Sequence, residues 1–184
     1  MKKVIVFMLG LILVTGCSCG NTNLVKKTPT KTVENFFKNY QTLDSSVIKQ
    51  LDEVVDKKTE FTEEQKKEYK ELMKKHYKEL TYEVKDEVID GDNATVTVEI
   101  EVTDYSKIMT DADTYLSQNP NEFNNSEGVY DVTLFTNYRL EKLKEAKDKV
   151  KYTLNLTLTK VNDEWMLDTL SDTDESKIHG TYVY

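Results

Sequence analysis

Between Ala94 and Thr103, and again between Tyr152 and Thr159, apolar and polar residues alternate without a break. Ala94, Val96, Val98, Ile100 and Val102 stand against Thr95, Thr97, Glu99, Glu101 and Thr103, then Tyr152, Leu154, Leu156 and Leu158 against Thr153, Asn155, Thr157 and Thr159. A period of two places each apolar set on one face of a pleated strand. Two such segments specify an antiparallel sheet with one wet face and one that must be covered. Turn residues complete two hairpins. Tyr82, Val84 and Val88, all at even positions and so expected on the apolar face, lead into Asp90-Gly91-Asp92-Asn93, and Asn162-Asp163 joins the second segment to Trp165-Met166-Leu167.

The cover is found upstream. From Pro29, the residues Val33, Phe36, Phe37, Tyr40 and Leu43 recur at helical steps. Asp44-Ser45-Ser46 then offers an N-cap, and Val47, Ile48, Leu51, Val54 and Val55 resume the stripe, so a bend is expected between them. Thr62-Glu63-Glu64-Gln65 is a capping box for a third helix whose buried face is Tyr69, Leu72, Met73, His76, Tyr77 and Leu80. The lysines and glutamates of that helix alternate and read as a solvated face. Residues 106–149 form an insertion between the hairpins: a short helix from Ile108 to Leu116 ended by Pro120, a polar loop from Asn119 to Gly128, and a further helix carrying Val132, Phe135, Tyr138, Leu143 and Ala146. The fold class is therefore α+β, with N-terminal helices packed on a curved antiparallel sheet of about four strands.

Ahead of these elements, Lys2 and Lys3 precede an apolar run, Val4 to Val14, too short to span a bilayer and of the length of a secretory signal. Val14-Thr15-Gly16-Cys17 resembles the bacterial lipobox. That resemblance implies cleavage before Cys17 and diacylglycerol on its sulfur, with palmitate-type acyl chains holding the protein on the outer face of the cell membrane. Residues 1–16 are then a lipoprotein signal peptide, 17–28 a lipidated tether and 29–184 the body. Lys26, Lys27 and Lys31 are placed to rest on an anionic leaflet. No cysteine follows Cys19, so the body relies on its core. Loss of Lys2 and Lys3 takes the net charge from −8 to −10, which argues against nucleic acid as a partner. Arg139 is the only arginine, a lysine bias that fits an AT-rich, Gram-positive source.

The helix "TPTKTVENFFKNYQTLDSSVIKQL" and the closing hairpin "KVNDEWML" resemble the small NTF2-like domains, also described as cystatin-like, over roughly Thr30 to Leu170. The resemblance implies a cone in which helices cap a curved sheet and a pocket opens within, with Phe36, Phe37, Tyr40, His76 and Trp165 as residues of that pocket or of the core. Some members are enzymes that set a carboxylate and tyrosines in the cone. Here Asp104 or Asp168, with Tyr40, Tyr105 and Tyr115, would be the counterparts, though they form no motif.

His76 falls between Met73 and Tyr77 on the apolar stripe and reads as a core histidine with one hydrogen-bond partner; a proton carrier facing a pocket is the sharper alternative. His179 has no evident partner. The acids of "LDTLSDTDES" and "MTDADTY" lack the spacing of a calcium loop and read as loop or helix-cap groups. No metal, cofactor or catalytic residue is assigned. Three functions compete: a non-enzymatic module binding a small ligand or an envelope protein, a small enzyme using the cone, and a solute-binding protein of a transporter. The last needs two lobes. The first is the expectation.

Overall fold

The computed structural model describes residues 27–183, and the expectations for the signal segment, Cys17, Cys19 and the tether up to residue 26 lie outside them. Helix α1 (Pro29–Thr42) begins where the Thr28 hydroxyl accepts from the Lys31 N–H at 3.1 Å and Pro29, lacking an N–H, occupies the first turn. It ends at Leu43, which takes the left-handed conformation (φ 54°) while the Asp44 N–H returns to the Asn39 carbonyl at 2.9 Å. Asp44 then caps α2 (Ser45–Asp56) through the Ser46 N–H at 2.9 Å, so the bend falls where the serine pair marked it. In α3 (Glu63–Glu79) both arms of the capping box are made: Gln65 N–H to the Thr62 hydroxyl at 3.2 Å, and Thr62 N–H to the Gln65 amide oxygen at 2.9 Å.

Strands β1 (Thr81–Asp90), β2 (Asn93–Thr103), β3 (Lys149–Val161) and β4 (Glu164–Leu167) form one antiparallel meander in chain order. The alternating sets of β2 and β3 meet across it, Val96 opposite Leu156 and Val98 opposite Leu154, and their apolar faces are buried under α1, α2 and α3. Phe37 stacks on Tyr82 with ring centres 4.9 Å apart, fixing α1 across the sheet. On the wet face Thr97 bonds Asn155 at 3.0 Å, and Lys85 and Lys151 flank Glu99 at 3.7 and 3.0 Å. The β3–β4 turn has positive φ at both Asn162 (52°) and Asp163 (66°), the geometry whose twist matches paired strands.

One expectation is overturned in β1. Val88 is 59% exposed, because the register slips between Val84 and Asp86. A bulge inserts one residue and transfers everything after it to the opposite face. Glu87, opposite Val96, takes the inward place, and its carboxylate accepts from the Thr30 N–H at 2.8 Å and the Thr30 hydroxyl at 2.7 Å. A charge on the covered face is thus spent on the N-terminus of α1, where it opposes the helix dipole.

The insertion is α4 (Tyr105–Gln118), a 3-10 turn at Pro120–Phe123 and α5 (Val132–Glu145). It has a small core of its own, Ala112, Phe123 and Phe135 with Tyr115, Leu116 and Tyr138, so the stretch expected as a polar loop buries Phe123. Gln65 of the capping box also donates to the Thr133 carbonyl (3.0 Å) and the Asn137 side chain (2.7 Å), tying α5 to α3. The acidic run near the C-terminus forms a last element that sequence patterning passed over: α6 (Asp172–Ile178), capped by Ser171, with Ile178 fully buried.

Candidate functional site

The chain after α6 closes against the start of α4. Gly180 has φ 67°, its carbonyl accepts from Tyr105 N–H (2.8 Å) and Ser106 N–H (2.9 Å), and a Cβ there would stand 2.0 Å from the Thr103 carbonyl oxygen. Only glycine fits. This clamp presses the Ile178 carbonyl onto His76, whose Nε2 lies 2.9 Å away. A carbonyl only accepts, so Nε2 carries the proton and Nδ1 is left as an acceptor, buried and without a partner among the described residues. The ring lies 5.0 Å from that of Tyr105 and 5.9 Å from that of Tyr77. Burial pushes the His76 pKa down from 6.5 to about 4, against the bond to Ile178, which favours the charged form. Tyr77 meets His179 Nδ1 at 3.2 Å; although part of His179 reaches the surface, its ring is crowded by protein, and this burial first, then His76, lowers its pKa to about 4.

His76 is therefore the core histidine with one partner that its place on the stripe implied. Phe37 and Tyr40 are likewise core, the Tyr40 hydroxyl pushed up to about 12 by burial. The residues an enzyme of this shape would need are not brought together. Asp104 caps α4 through Ser106 and the Lys107 N–H (2.6 and 3.2 Å), Asp168 accepts from Thr159 at 2.9 Å, and Tyr115 donates to Glu122 at 2.8 Å in the satellite core. Asp111 pairs with Lys107 at 2.8 Å and Asp113 with Arg139. Among the described residues no cluster of His, Cys, Asp or Glu has the form of a metal site.

Phe36 and Trp165 have a different setting. Residues 32, 35, 36 and 39 fall on one face of α1, and that face looks across a groove of about 530 Å³ at β4 and its turn. Phe36 and the half-buried Trp165 and Leu167 are its apolar residues; Thr32, Asn35, Asn39, Asn162, Asp163 and Glu164 surround them, with Lys27 at one end. Phe36 is braced from behind by Phe37 and Tyr40, ring centres 5.0 and 5.2 Å away. The Lys160 ammonium lies 5.8 Å from the Trp165 ring centre, and the Trp165 carbonyl oxygen lies 3.3 Å from the Thr32 hydroxyl, which also faces the Thr28 carbonyl at 3.2 Å. The side-chain amides of Asn35, Asn39 and Asn162 make no hydrogen bond with any described residue. These three were not singled out by sequence reasoning. The available signal was a pair of asparagines, poor helix formers, four residues apart on the same turn-face as Phe36.

A second groove of about 730 Å³ lies between α3 and α5, rimmed by Glu64, Glu68, Glu71 and Glu141. Its buried amide, Gln65, is consumed by the capping box and by α5, so it holds the two helices together and has nothing left to offer a ligand.

No protein-family model matches this sequence, and no curated protein matches it significantly. Among the described residues no helix is long and apolar enough to cross a membrane. Among solved structures, ycdA of Bacillus subtilis subsp. subtilis strain 168, described as a candidate lipoprotein, aligns at 17% identity and a TM-score of 0.42 over 66% of this chain. The chain spans 38% of that protein, and a likeness of this size carries no statement about function.

Proposed function

We propose that this chain is a lipid-anchored lipoprotein of the extracytoplasmic membrane face, and that its body is a non-enzymatic binding module using the groove between α1 and β4. The anchor rests on Val14-Thr15-Gly16-Cys17 behind a short basic and apolar leader, with residues 1–16 removed and Ser18 to Thr28 spacing the body from the bilayer. A four-stranded antiparallel meander with helices on one face supports reading the body as a divergent NTF2-like domain.

The observation that carries the binding role is the groove itself. Two braced aromatic side chains are flanked by the half-buried Asn35 and the exposed Asn39 and Asn162, whose amides make no hydrogen bond with any described residue and so are open to a ligand in place of water. The groups available for acid–base chemistry are committed to caps, ion pairs and the core, which favours binding over turnover.

Two measurements test the proposal. Labelling with a fatty-acid analogue is expected to mark the wild type and not Cys17→Ala; equal labelling sinks the anchor. A photoreactive benzoylphenylalanine in place of Glu164, at the groove, is expected to give a discrete adduct in intact envelopes, and the same residue in place of Thr153, on the wet sheet face, is not. Equal yields at the two positions, or none at either, remove the binding role.

A further inference from the structure

The chemistry of the groove selects among ligands. Its charged lining residues are Lys27, Asp163 and Glu164, and Lys160, beside the Trp165 ring, pairs with Asp163 at 3.6 Å, so the rim is close to charge balance and offers no net field to a strongly charged ligand of either sign. A purely apolar ligand would strand the amides of Asn35, Asn39 and Asn162 without partners. A peptide adding itself as a strand beyond β4 would need the Trp165 carbonyl, and there it meets α1, whose Thr32 hydroxyl stands 3.3 Å from that oxygen and 3.2 Å from the Thr28 carbonyl. The remaining match is a neutral ligand with both apolar faces and hydrogen-bonding groups.

A pyranose has that character. Its C–H face packs on an aromatic ring, and its equatorial substituents reach sideways to polar groups. An asparagine amide offers one donor group and one acceptor, the complement of the N–H and C=O of an acetamido group. Asn35 and Asn39 make that offer at two points one helical turn apart, about 6 Å along α1, so one can meet the acetamido group of a sugar and the other the hydroxyls of its neighbour. The volume of about 530 Å³ lies within the range of sites that hold small organic ligands.

We propose that this groove binds a short neutral glycan bearing N-acetyl groups, with one sugar face on Trp165 and an acetamido group and a neighbouring hydroxyl held by Asn35 and Asn39. The inference rests on the binding role argued above and names its ligand class. The chain contains a single tryptophan, so its emission reports this groove and nothing else.

The test uses the full-length lipidated chain in phosphocholine micelles, which contain no sugar. Chitobiose is expected to shift Trp165 emission saturably, and cellobiose, which lacks the acetamido groups, to need at least tenfold higher concentration. Asn35→Ala and Asn39→Ala are each expected to weaken chitobiose binding at least fivefold without lowering the unfolding midpoint, since alanine favours the helix. A disaccharide of N-acetylglucosamine and N-acetylmuramic acid, which carries a lactyl carboxylate, is expected to bind no more tightly than chitobiose; clearly tighter binding of this anion overturns the neutral ligand class. Equal affinity for chitobiose and cellobiose overturns the recognition by amides. Silence of Trp165 toward every sugar, while the adduct at Glu164 persists, overturns the glycan and leaves the binding module standing; loss of the adduct as well removes both.

Discussion

The His76 centre and the Phe36–Trp165 groove are made of the same materials, aromatic rings beside polar side chains, and differ in what the polar atoms are committed to. Around His76 nearly every group serves the fold: Nε2 holds Ile178, Tyr77 meets His179, and the Gly180 carbonyl takes two backbone donors. In the groove the rings are braced by the core, but three amides are left without partners among the described residues. On the proposed reading the difference separates stability from recognition, and each region should then answer differently to substitution.

The sharpest way to break the closed centre is Gly180→Ala. The new methyl group meets the Thr103 carbonyl oxygen at 2.0 Å, in a backbone conformation that alanine already disfavours. A loss of about 3 kcal/mol or more is expected in urea unfolding; a loss under about 1 kcal/mol would show that the C-terminal clamp does not hold.

Acid should reach the same centre without mutation. His76 binds its proton near pH 6.5 when unfolded and near 4 when folded, so the folded state is disfavoured as pH falls. Its contribution is fully present above about 6.5, declines through the window between the two values, and is lost below about 4. On the order of 3 kcal/mol of the pH dependence is expected from this residue. In His76→Gln the side-chain N–H to Ile178 can be kept while titration is removed, so the slope of stability against pH between 6.5 and 4 should flatten; an unchanged slope would assign the acid response to other groups.

Trp165→Ala tests the boundary between the two regions. The ring is only half-buried, so about 2 kcal/mol is expected, below the 3–5 kcal/mol typical of a sealed aromatic. A cost within that higher range would make Trp165 a core residue and weaken its claim to the groove. At the other extreme, Asn35→Ala and Asn39→Ala break no bond among the described residues and place a better helix former in α1, so no loss of stability and a gain of about 0.5 kcal/mol are expected. A loss from either would mean that these amides serve the fold as Gln65 does.

Much of the architecture was legible because single residues carried unambiguous signals. Thr62 and Gln65 announced the start of α3, Asp44 the start of α2, and strict alternation fixed the faces of β2 and β3. What escaped depended on long-range geometry. Val88 keeps the right spacing, but a bulge changes the count, and nothing local says that Glu87 is wanted at α1. α6 has seven residues and only Ile178 to bury, too little for a periodic stripe. For the site, Phe36 and Phe37 are adjacent and equally apolar, yet a 100° step around the helix sends Phe37 to the sheet and leaves Phe36 at the groove. The asparagines become a site only when β4 arrives opposite them.

The bulge in β1 has a further consequence for a chain held on a surface, as proposed here. Anchoring confines neighbours to two dimensions, where they meet sideways and often. An open sheet has two edges, each a template on which another chain can pair. At one edge the bulge interrupts the regular run of donors and acceptors, and Lys85, 2.5 Å from Glu83, stands beside the break. At the other, β4 is only four residues long, and the Thr32 hydroxyl of α1 faces the Trp165 carbonyl. Both edges are blunted, and crowded copies of this protein are kept from zipping into one another.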